Sequence, residues 1–177
     1  MGLKVEIGPR WRKIAPDWVT VDIVPRHYVD RVADWAAGLP FADGSVSLIY
    51  ASHVLEHIWW YRTDAALREA YRVLAPGGLL ELHVPDLAAI LLAYVRRSCL
   101  DDWRAHNPEG DPMKWINGRI FAHDDRGEGD QHRAIFDRAY LRRCLQKAGF
   151  GEMIDAAPVR SDSRHPSFDL AMTAVKP

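Results

Sequence analysis

The sequence predicts an α/β fold: a doubly wound sheet, mostly parallel, with an antiparallel C-terminal edge hairpin and a shortened N-terminal helical layer. Three observations lead there. Residues 46–51 and 79–84 are apolar runs of strand length separated by an amphipathic helical stretch. That is a βαβ unit, which implies parallel strands and a right-handed crossover. Only residues 9–21 separate Gly8 from Asp22, too short a gap for a full helix and two loops. Two strand-like runs near the C-terminus are joined by a polar turn, Ser161-Asp162-Ser163-Arg164, and so local a reversal implies an antiparallel edge.

Each element follows in order. Leu3-Lys4-Val5-Glu6-Ile7 alternates like a short strand, and Gly8-Pro9-Arg10 breaks it. Residues 18–23 read as the second strand, ending on Asp22 and Ile23, while Trp11 and Trp18 plug what the missing helix leaves open. Residues 27–34 read as a turn and a third strand that reaches Asp34 and Trp35. The run Leu39-Pro40-Phe41-Ala42-Asp43-Gly44-Ser45 is punctuated as a turn before the fourth strand. Ala51, Ser52 and His53 fall at that strand's carboxyl end.

A helical pattern then runs from Ser52 through Leu67, Ala70, Tyr71 and Leu74, until Pro76-Gly77-Gly78 stops it. His53 and His57 are four apart and so share a helix face. "HVLEH" is not H-E-x-x-H, however, and no metal is expected; a capping or hydrogen-bonded structural role suits His57 better. Asp86, just past the fifth strand, either orients an acceptor hydroxyl or caps the next helix. That helix spans residues 87–100, and its aliphatic density predicts that it is largely buried. Residues 107–131 break the regular pattern with Pro108, Gly110, Pro112, Gly118, Gly127 and Gly129, and read as a lid-like insertion. Residues 137–150 form a clear helix stopped at Gly149, and strands over 152–158 and 167–175 close the sheet.

At 177 residues the chain reads as one domain, 1–177. The net charge of −1 provides no global basic field, so no nucleic acid is expected as a partner. No membrane-spanning or secretory segment is read, so no membrane insertion is expected. Cys99 and Cys144 stand far apart without a C-x-x-C, which suits reduced thiols and a cytoplasmic location. Trp59-Trp60-Tyr61 is an aromatic cluster. If exposed, it is a candidate contact surface for a second copy of the chain; buried filling of the shortened layer is the alternative.

"LPFADGSVSLIYASHVLEHI" followed by "EAYRVLAPGGLLELHVPDL" resembles the class I S-adenosylmethionine-dependent methyltransferases, over that family's fourth strand, following helix and fifth strand. Most of the chain is similar to that family, and "FAHDDRGEGDQHRAIFD" and "LRRCLQKAGF" are similar to its small members linked to polysaccharide and glycolipid tailoring. The resemblance implies a Rossmann-like sheet, S-adenosyl-L-methionine as cofactor and S-adenosyl-L-homocysteine as product. It further implies that Glu6 and Gly8 stand at the turn where the backbone approaches the cofactor, with Pro9 and Arg10 in place of further glycine. Arg10 is then a partner for the methionine carboxylate. Asp22, with Ile23 beside it, matches the acid that accepts from both ribose hydroxyls. Asp34 matches the acceptor for the adenine amino group, with Trp35 against the purine face or in the core. Ala51, Ser52 and His53 lie near the sulfonium.

Methyl transfer from a sulfonium is an in-line displacement, and a hydroxyl acceptor is helped by a general base near neutral pKa. His132 and His123 are the candidate bases, with His53 a third that instead serves the cofactor and Asp86 an orienting acid. The function this implies is methyl transfer to a small-molecule or sugar hydroxyl. A non-catalytic binding or scaffold subunit that keeps the fold is the alternative. A nicotinamide oxidoreductase would require G-x-G-x-x-G, and Gly8 stands alone.

Overall fold

The computed structural model describes residues 2–98, 107–122, 131–160 and 168–177. Seven strands form one sheet: β1 (Leu3–Ile7), β2 (Trp18–Asp22), β3 (Arg31–Val32), β4 (Val46–Ser52), β5 (Leu74–Pro85), β6 (Met153–Ile154) and β7 (Asp169–Val175). Their order is β3-β2-β1-β4-β5-β7-β6. The first five pair in parallel, and β7 runs antiparallel between β5 and β6. The order reverses between β1 and β4, and ligands of open α/β sheets bind outside the carboxyl ends of the strands at such a switch.

The two faces of the sheet are unlike. On one, Val5, Ile7, Val21, Ile49, Ala51, Leu80 and Leu82 meet α1 (Thr63–Val73) and α4 (Arg138–Ala148) in the main core. Helix α1 turns Ala66, Leu67, Ala70 and Val73 inward at helical spacing. The Asp137 carboxylate caps α4 by accepting the Tyr140 N–H at 2.6 Å, and Gly149 ends it at φ 109°. On the other face, cross-strand register lines up Thr20, Glu6, Tyr50, Glu81 and Thr173 in one row, and all five are buried.

No helix joins β1 to β2, β2 to β3 or β3 to β4 among the described residues. Loop segments therefore cover the polar row and supply its partners, as buried polar groups require. Glu6 accepts the Ile14 N–H at 3.0 Å, and Thr20 Oγ1 donates to the Tyr28 carbonyl at 2.7 Å. Thr173 Oγ1 donates to the Ala156 carbonyl at 2.7 Å, while Arg160 forks onto Glu81, with Nη2 2.7 Å from Oε1. The shortened N-terminal layer is thus a layer of loops, with polar side chains pointing at backbone where helices would otherwise pack.

Four expectations are corrected. The chain does not run helically from Ser52: β4 ends there, His53 adopts φ 55°, and short 3-10 turns span Leu55–His57 and Trp60–Arg62 before α1 begins. His53 and His57 therefore share no helix face. Helix α2 (Leu87–Arg96) buries only Ile90 and Ala93 and leaves Leu91, Leu92 and Val95 exposed, because it packs on one side only, against α3 (Pro112–Phe121). Helix α3 itself lies inside the stretch read as irregular. The Asp111 carboxylate caps it by accepting the Met113 N–H at 2.8 Å, and Pro112 opens it at a position where no N–H is needed. The closing strands are also shorter than expected, and the turn at 161–164 lies outside the described residues, as does Cys99; Cys144 is a free, buried thiol. Trp59, Trp60 and Tyr61 are exposed, which answers the alternative left open for that cluster. No helix among the described residues is long and apolar enough to cross a membrane.

Candidate functional site

The carboxyl edge around the β1/β4 switch gathers most of the predicted residues. Gly8 leaves β1 at φ 71°, and its N–H donates to the Val21 carbonyl at 2.8 Å. A Cβ there would sit 2.3 Å from Val54 Cγ2, so the loop after β4 closes directly onto this glycine. Gly8→Ala combines that clash with a left-handed backbone and is expected to cost about 2 kcal/mol or more, read as a lowered midpoint in urea. Pro9 is buried, and Arg10 is exposed with its guanidinium over the Trp11 ring at 5.4 Å.

At the end of β2, Asp22 Oδ1 accepts the Val24 N–H at 2.8 Å. Its second oxygen accepts no hydrogen bond among the described residues, and the side chain is only half-buried. Ile23 beside it is 65% exposed. Asp34 lies two residues past β3 on the same edge, where it accepts from the Ala36 N–H at 2.9 Å and from Arg62 at 3.1 Å. Trp35 is 3% exposed and belongs to the main core. Of its two readings the core one holds, and the exposed apolar side chain on this edge is Ile23, beside Asp22.

Glu6 is not a solvent-facing strand end. Burial raises its pKa to about 7, opposed by the Ile14 N–H. The folded chain therefore keeps this proton between pH 4.5 and 7 while the unfolded chain loses it, so stability falls as pH rises through that window. The fall amounts to about 3 kcal/mol at most. Glu6→Gln keeps an acceptor for Ile14 without the titration; comparing urea midpoints at pH 5 and pH 8 should show a larger loss in the wild type than in the variant.

Ala51 and Ser52 are buried at the end of β4, and His53 follows between two carboxylates. Its Nδ1 stands 3.0 Å from Glu56 Oε1 and its Nε2 3.3 Å from Asp169 Oδ1. Burial, the largest influence, pulls His53 down, but the hydrogen bonds and charges of Asp169 and Glu56 together raise it to about 10. A charged His53 neutralising two buried acids is a structural clamp, which sequence spacing does not reveal because Asp169 comes from β7.

On the acceptor side of the edge, Asp86 is the N-cap of α2, its Oδ1 accepting the Ala88 N–H at 3.0 Å, so capping is the role the geometry displays. His123 lies outside the described residues. His132 lines a shallow depression beside the end of β5 with Pro85, Leu87, Arg119, Ile120 and Ala134. Burial, the largest influence, holds His132 below its ordinary value. S-adenosylmethionine fits the nucleoside half of this edge: Asp22 offers a half-buried oxygen that accepts no hydrogen bond among the described residues, next to an exposed apolar side chain and a glycine turn.

The chain resembles, over its whole length, a SAM-dependent methyltransferase from Thermotoga maritima, with a TM-score of 0.57, 19% identity and 83% of that chain covered. It also resembles the Burkholderia thailandensis 1,6-didemethyltoxoflavin-N1-methyltransferase, solved with 1,6-didemethyltoxoflavin and S-adenosylhomocysteine, with a TM-score of 0.57 and 15% identity over 99% of this chain and 71% of that one. At such identities these likenesses concern the fold. No curated protein matches the sequence. A family model described as a methyltransferase domain matches residues 6–151, from the strand that carries Glu6 to the turn after α4. The chain belongs to that methyltransferase family, and its cofactor is S-adenosylmethionine.

Proposed function

We propose that this protein transfers a methyl group from S-adenosylmethionine to a hydroxyl of a small molecule or glycan, as an enzyme rather than a scaffold that keeps the fold. The observation that carries this reading is the Asp22 oxygen that accepts nothing among the described residues, on the same sheet edge as the His132 depression. Asp22 accepts from the ribose diol, Ile23 covers one side of the purine, and Arg10 pairs with the methionine carboxylate. Asp34, held by Arg62, receives the adenine amino group. Gly8, Pro9, Ala51 and Ser52 shape the floor, and Glu6 and His53 position it from beneath.

Bound there, S-adenosylmethionine supplies an electrophilic methyl on its sulfonium. The chain's own work is to orient the acceptor, exclude water and accept a proton. His132 is the base among the described residues, and a neutral imidazole suits a hydroxyl acceptor. The depression it lines is mostly apolar with the cationic Arg119 at its side, which disfavours a charged amine.

The test incubates the protein with methyl-labelled S-adenosylmethionine and panels of oligosaccharides, polyols and amines. Label on hydroxyl acceptors, lost in Asp22→Ala, is the expected result. Label on amines alone would overturn the hydroxyl assignment, and cofactor binding with no transfer to any acceptor would favour the scaffold.

A further inference from the structure

Where the 3-10 turn after β4 meets the segment before α4, three ligating side chains from distant parts of the sequence converge. Glu56, His57 and His132 each bring one donor atom to within 4.8 Å of the others. We propose that these three residues form a binding site for a first-row divalent metal ion, of the class that zinc represents.

The backbone builds this juxtaposition. Both Arg133 and Ala134 donate their N–H groups to the Glu56 carbonyl, at 2.7 and 3.0 Å, and Trp60 donates to the Arg133 carbonyl at 3.2 Å. His132 is thereby stitched opposite the Glu56-His57 turn, with the two imidazole rings 5.1 Å apart at 71°. Its own N–H donates to the Phe121 carbonyl at 3.2 Å, which ties the same segment to the end of α3.

The side chains are also prepared as ligands. His57 Nδ1 lies 3.3 Å from the Gln131 carbonyl. A carbonyl only accepts, so Nδ1 carries the proton and Nε2 keeps a lone pair for a metal. The Ile120 backbone lies beside the His132 ring, which is partly exposed. Glu56 is 1% exposed, and its Oε1 is oriented by His53. Its Oε2 is buried and accepts no hydrogen bond among the described residues. A buried carboxylate oxygen without a donor is costly unless something positive faces it.

Two imidazoles and one carboxylate make a mixed nitrogen and oxygen set that suits zinc and its first-row neighbours, and three protein ligands leave a position open to water or an acceptor oxygen. Ligand atoms around zinc lie roughly 3–4 Å apart, so closing this set requires about an ångström of movement by the two partly exposed histidines. With an ion bound, His132 serves as a ligand, and the base role given to it above belongs to the ion-free protein. The site stands on these side chains alone, whether or not the acceptor is a hydroxyl.

The experiment strips the full chain with chelator and titrates it with zinc by calorimetry and with cobalt by its visible absorption. The wild type is expected to bind a single equivalent at micromolar concentration or tighter. His57→Ala and His132→Ala should each weaken that binding by about 100-fold or more. His27→Ala, an exposed histidine elsewhere, should leave it unchanged. S-adenosylhomocysteine affinity measured on the same samples reports whether the variants stay folded, and keeps this outcome separate from that of the methyl-transfer reading. Zinc binding that survives in the folded double variant, or no binding to the wild type below millimolar zinc, would overturn the proposal.

Discussion

Replacing Asp22 with alanine is expected to raise the dissociation constant for S-adenosylhomocysteine by about 30- to 100-fold, with little change in fold. The magnitude follows from the role proposed for the side chain. A carboxylate accepting from a diol makes charge-assisted hydrogen bonds of about 1.5–3 kcal/mol, and removal leaves the ribose hydroxyls without their acceptor in a partly desolvated crevice. Asp22 also accepts the Val24 N–H, so the alanine variant loses a turn contact as well. Asp22→Asn separates the two effects, because its amide oxygen can still accept from Val24 while the charge is gone. Calorimetric titration of both variants should place asparagine between wild type and alanine. Equal affinity in all three would remove Asp22 from the ribose site, whatever their thermal stability.

Much of this architecture is written locally. The unit β4–α1–β5 is legible because apolar runs of strand length flank apolar residues at helical spacing, and α4 because Gly149 supplies its left-handed stop; the Asp137 cap shows in the structure. The loops that replace the N-terminal helices followed from the gap between Gly8 and Asp22 alone. Other features depended on information that no single window holds. Helix α3 was hidden because Pro and Gly density was read as breakage, although Asp111-Pro112 is also a helix start. Aliphatic content in α2 did not tell which side of that helix would be covered. The polar row of Glu6, Thr20, Tyr50, Glu81 and Thr173 exists only once strand register is known.

The site was legible to the same extent. Asp22 ends a strand, Gly8 and Asp34 lie just past strand ends, and topology alone brings strand ends to one edge. Trp35 illustrates the opposite case, since its neighbour Asp34 faces Arg62 while the indole ring enters the core. The clamp on His53 and the approach of His132 to Glu56 join segments far apart in the chain, with nothing in their spacing to signal it. The signal that did exist was the unusual density of histidine and acid in "ASHVLEHI" and "GDQHRAIFD".

His53→Ala should cost stability heavily, at about 3–5 kcal/mol, because it removes the cation that stands between two buried carboxylates. Glu56 is 1% exposed, the Asp169 side chain 7%, and His53 is the group between them. The left-handed backbone at φ 55° is borne by histidine and alanine alike, so it contributes little to the difference. For a domain of this size the loss corresponds to a drop in Tm of roughly 10 °C or more. A double-mutant cycle isolates the electrostatic part: Asp169→Asn should cost much less in the His53→Ala background than in the wild type, with a coupling of about 2 kcal/mol. The pH dependence has a definite sign. His53 is held at about 10, above its ordinary 6.5, so its contribution is complete below pH 6.5 and is lost as pH rises through 10. The gap in urea midpoint between wild type and His53→Ala should therefore narrow from pH 7 to pH 10. Additive effects of the two substitutions, or a gap that is flat across that range, would mean that His53 is held by packing alone and that Glu56 and Asp169 do not depend on its charge.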